Sequence, residues 1–68
     1  MGYYAKFIGV NSGDVYDSFT IQSIPKTNDS FFLEVLDMTV YVVEVEEHES
    51  ESGRISLDVY ISKYDDWG

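Results

Sequence analysis

The chain has 68 residues, no cysteine, thirteen acidic side chains against four Lys and Arg, and a net charge of −9. That length holds one domain, residues 1–68, which buries only about 60% of its unfolded surface and has little stability margin, and the lack of cysteine excludes disulfide and thiolate–metal staples. The charge repels a phosphate backbone and excludes direct binding of DNA or RNA, while a protein with a basic surface would be attracted.

The opening MGYYAKFIGV has neither the basic nor the apolar region of a signal peptide, and no apolar run approaches the ~20 residues of a membrane span. A soluble protein of the cytoplasm is expected, the cytoplasm being that of a bacterial host if the source is viral. Residues 3–10 are rich in aromatic and branched side chains and read as a first strand. The cluster Asn11-Ser12-Gly13-Asp14 then forms a turn. Residues 17–24 alternate, with Phe19 and Ile21 against Thr20 and Gln22, and a second turn cluster runs from Pro25 to Asp29. SFFLEVLD, residues 30–37, reads as a strand ending in a tight Asp37-Met38 bend. Its alternative is a short helical turn capped by Asp29 or Ser30, with Phe31 above Val35 and Phe32 above Leu36.

The strongest pattern lies in residues 54–64, where Ile55, Leu57, Val59 and Ile61 alternate with Ser56, Asp58, Tyr60 and Ser62. Period two argues a half-buried strand. Residues 39–47 supply its mate, with Tyr41, Val43 and Val45 on the inner side. Pairing Val45 with Ile55, Val43 with Leu57 and Tyr41 with Val59 sets Glu46 opposite Arg54 and makes residues 47–53 the connecting tip. The fold class is therefore all-β: a small antiparallel barrel or strongly bent sheet of four or five strands.

EVEEHESES, residues 44–52, places five glutamates and the chain's single histidine at the end of that hairpin. On this register Glu44, Glu46 and Asp58 share the outer face. The same face receives Val40, Val42, Tyr60 and, beyond it, Tyr64, followed by Asp65, Asp66 and Trp67. Tyr and Trp supply large contact areas with a polar handle and dominate interface hot spots. No nucleophile–base arrangement is present, no cofactor motif is found, and neighbouring carboxylates on a strand point to opposite faces, so no catalytic, cofactor or metal site is expected. The composition points to a small, non-enzymatic, acidic protein-binding module. Its protein-binding residues would be Tyr60, Tyr64, Asp65, Asp66 and Trp67, with Glu44, Glu46 and Asp58 adding charge. A phage-type inhibitor of a host or defence protein fits that description. The alternatives are a structural subunit of a homo-oligomer or particle, and an acidic mimic of nucleic acid.

Overall fold

The computed structural model describes residues 2–63 and contains one sheet of five strands: β1 Tyr3–Gly9, β2 Val15–Ile21, β3 Ser30–Leu33, β4 Met38–Glu49 and β5 Ile55–Lys63. Their order across the sheet is β2-β1-β5-β4-β3. There is no helix among the described residues, and hence none long and apolar enough to cross a membrane. The helical alternative for residues 30–37 gives way to a short strand and a turn. Ser30 to Leu33 pair with Tyr41 to Met38, and the turn is closed by Leu36 N–H donating to Leu33 C=O and Asp37 N–H to Glu34 C=O. Asp37 adopts φ +52°, a conformation that its short polar side chain tolerates better than most.

The sheet is mixed rather than antiparallel throughout. β1 and β5 run parallel, Tyr4 beside Ser56 through Gly9 beside Ile61, and Val10 N–H extends the ladder to Ile61 C=O at 2.9 Å. Parity explains it: five strands that alternate in direction leave the first and the fifth running the same way. Because the segment 22–29 carries the chain from β2 at one edge to β3 at the other, β5 returns beside β1 and must lie parallel to it.

The sheet curls strongly into a half-barrel. β3 lies three strand positions from β1, about 14 Å in a flat sheet, yet the rings of Phe7 on β1 and Phe31 on β3 approach to 5.8 Å edge to face. Phe19 on β2 stacks on Phe7 with ring centroids 4.8 Å apart. Two bulges help to bend the sheet: one sets Tyr16 outside the β1–β2 register, the other sets Val43 outside the β4–β5 register. The concave face buries Ala5, Phe7, Leu33, Val40, Val42, Leu57, Val59 and Ile61.

The bulge at Val43 corrects the expected hairpin. Val40 and Val42 are core residues rather than outer-face ones, and Val43 is exposed. Beyond the bulge the phase changes, so Val45 turns inward opposite Val59. The bulge thus lets β4 bury Val40, Val42 and Val45, which a regular strand could not place on one face. The register differs as well, mostly because the tip is shorter than expected, with one position added by the bulge: Glu46 lies opposite Asp58, not Arg54, and Ile55 faces Glu49. Strand β4 continues to Glu49, so the tip shrinks from the expected residues 47–53 to the turn between Ser50 and Arg54. This turn is held by Ser50 N–H to Arg54 C=O and by Gly53 at φ +85°.

Candidate functional site

β4 is the longest strand, and its 12 residues span about 40 Å, nearly the 41 Å length of the molecule. β3 accompanies only its first part, from Met38 to Tyr41. The ladder ends at Val42, which exchanges backbone hydrogen bonds with Asn28 and Asp29 at 2.8 Å. Residues 44–49 therefore pair with β5 on one side, Val43 bulges, and no described residue pairs with the backbone of 43–49 on the other side. This open edge carries Glu44, Glu46, Glu47 and Glu49 together with His48.

Residues directly opposite each other in an antiparallel pair share a face. On the convex face, Glu44 lies beside Tyr60, Glu46 beside Asp58 and His48 beside Ser56. On the concave side, at the end of the core, Glu47 lies beside the buried Leu57 and Glu49 beside Ile55. The projecting hairpin is thus acidic on both faces. Lys6 of β1 adjoins Asp58 and borders the convex patch on its far side.

The convex patch is electrostatically coupled. The carboxylate of Glu46 most of all, then partial burial, then Asp58 and Glu44, raise the Tyr60 phenol above its ordinary value of 10.0. His48 Nε2 lies 3.0 Å from Asp58 Oδ2 and 3.7 Å from Glu46 Oε2. The imidazole bridges two carboxylates that would otherwise face each other across the strands as like charges, an unfavourable pairing. Glu46, His48 and Asp58 offer one ligand atom each within 4.8 Å of one another, the spacing at which a divalent cation can be held. The sequence reading placed His48 in a loop and so missed this grouping. The signal was the doublet Val42-Val43, which breaks period two in the middle of the strand and marks the bulge.

Of the residues expected to bind protein, Glu44, Glu46, Asp58 and Tyr60 come together on this one convex patch. Tyr64, Asp65, Asp66 and Trp67 lie outside the described residues. No protein-family model, no curated protein and no solved structure matches the chain.

Proposed function

We propose that the protein is a small, non-enzymatic binding module that recognises a basic surface on another protein through the distal part of its β4–β5 hairpin. The observation that carries this reading is the convex patch, where three carboxylates surround one partly exposed tyrosine ring. A cationic side chain seated there gains the ring face and two or more carboxylates at once. Charged rims of this kind set the association rate and the choice of partner more than raw affinity. Inhibition of a host or defence protein is one way such a module acts, and Tyr64, Asp65, Asp66 and Trp67 extend the same proposal along the chain. The small core is compatible with this role, because recognition of this kind needs a shaped surface and no water-excluding pocket.

Affinity capture with the wild type and with an E44Q/E46Q/D58N variant tests it. Proteins retained by the wild type at low ionic strength should be released at high ionic strength and absent from the variant. An identical set on both baits, or retention indifferent to salt, would remove the acidic patch as the recognition element.

A further inference from the structure

We infer that the open edge of β4 between Val43 and Glu49 accepts an extended, lysine- or arginine-bearing segment of the partner as an additional strand. This deepens the proposed function and rests on it, since it names the form the basic partner takes.

Three features lead to this occupant. The first is backbone supply. In an antiparallel ladder alternate residues turn their N–H and C=O groups away from the strand they pair with. Along 43–49 those groups point to an edge that no described residue fills. Seven residues give a docking length of about 23 Å, continuous with the line of β3 and of Asn28 and Asp29, which carry that line as far as Val42. Extended peptides commonly add to such edges, main-chain hydrogen bonds supplying affinity and alternate side chains supplying specificity.

The second feature is charge complementarity on both faces of the incoming strand. Neighbours on its convex side would be Glu44, Glu46 and His48, and on its concave side Val45, Glu47 and Glu49. A matching segment therefore has basic residues on both faces and an apolar residue beside Val45. The third is exclusion of the other obvious occupant. A second copy of this chain adding by its own 43–49 edge would set glutamate against glutamate, and like charges directly opposite are destabilising. The charges that bar self-pairing are those that would select a basic strand. The edge of β2 offers no such selection, because Val15–Ile21 carries one charged residue, Asp17.

The test uses a blocked seven-residue peptide that carries Lys on both faces of the extended chain and one Val to lie beside Val45, titrated into the 15N-labelled chain. Two further versions are N-methylated at alternate backbone positions, each blocking one edge of the peptide. Amide shifts and new exchange protection should map to residues 43–49. One methylated version should bind at least about tenfold more weakly, since it forfeits several backbone hydrogen bonds, while the other matches the parent. If both methylated peptides bind as well as the parent, or protection appears along β2, strand addition is overturned while recognition of basic residues stands. If the parent peptide does not bind, or binds an E44Q/E46Q/E47Q variant equally, the acidic reading itself falls and strand addition with it.

Discussion

At the residue scale the informative side chain is Tyr60, whose phenol reads the field of Glu46, Asp58 and Glu44. Raising its pKa above 10.0 means that the folded state favours the neutral phenol. The stability linked to this group is then present below pH 10 and is lost as pH rises through the higher folded value. The difference in tyrosinate absorbance between wild type and Tyr60→Phe should titrate with a midpoint above 10. Glu46→Gln should lower that midpoint more than Glu44→Gln, following the order of their influence. Added salt should lower it too, because the group is partly exposed to screening. A midpoint unmoved by Glu46→Gln would show that the carboxylates are not its cause.

At the element scale the bulges and turns decide where side chains point. The β1–β2 turn is packed against Gly9, which is buried at the end of β1. A Cβ built on Gly9 would meet Ser12 Oγ at 2.7 Å and the Tyr16 ring at 2.8 Å. Tyr16 is itself the bulged residue of β2; it packs on the core and lies under Lys63 Nζ, 5.1 Å from the ring centroid. Neither the ring nor the turn can retreat without disturbing the other. Gly9→Ala should therefore cost about 1–3 kcal/mol, in the range of other overpacking changes, read as a lower urea midpoint with an unchanged slope. A neutral result would mean that the turn opens freely. At β4, the bulge at Val43 keeps valines inward on both sides and sends Glu44, Glu46 and His48 to one convex face.

At the scale of the whole molecule, a net charge of −9 acts on a core that, among the described residues, has eight buried apolar side chains. Self-repulsion weakens the compact state, and much of it is concentrated where β4 runs beyond β3. Raising ionic strength shortens the screening length from about 30 Å at 0.01 M to about 8 Å at 0.15 M. Resistance to urea should rise over that interval, whereas binding of a basic partner should weaken. This opposition of signs separates screening of the fold from screening of the interface. A constant urea midpoint would show that repulsion among the carboxylates does not limit the stability of the fold.

Strand character and turn positions were legible in the sequence because they depend on near neighbours. Ile55, Leu57, Val59 and Ile61 alternate without interruption, and all four pack in or against the core as that pattern requires. Gly53, Asp37 and the Asn11–Asp14 cluster mark their turns by backbone conformation or hydrogen bonding alone. The gathering of Glu44, Glu46 and Asp58 on one face with Tyr60 was also readable, since those four lie outside the phase error. The parallel β1–β5 pair, the grouping of His48 with two carboxylates and the open edge of β4 came only from the tertiary structure, and the bulge at Val43 left no trace in the sequence beyond the Val42-Val43 doublet. Each depends on which distant strand lies alongside, and that choice is made by burying one shared concave face around Phe7. A single extra residue in β4, accepted for the sake of that burial, moves every later partner by one position.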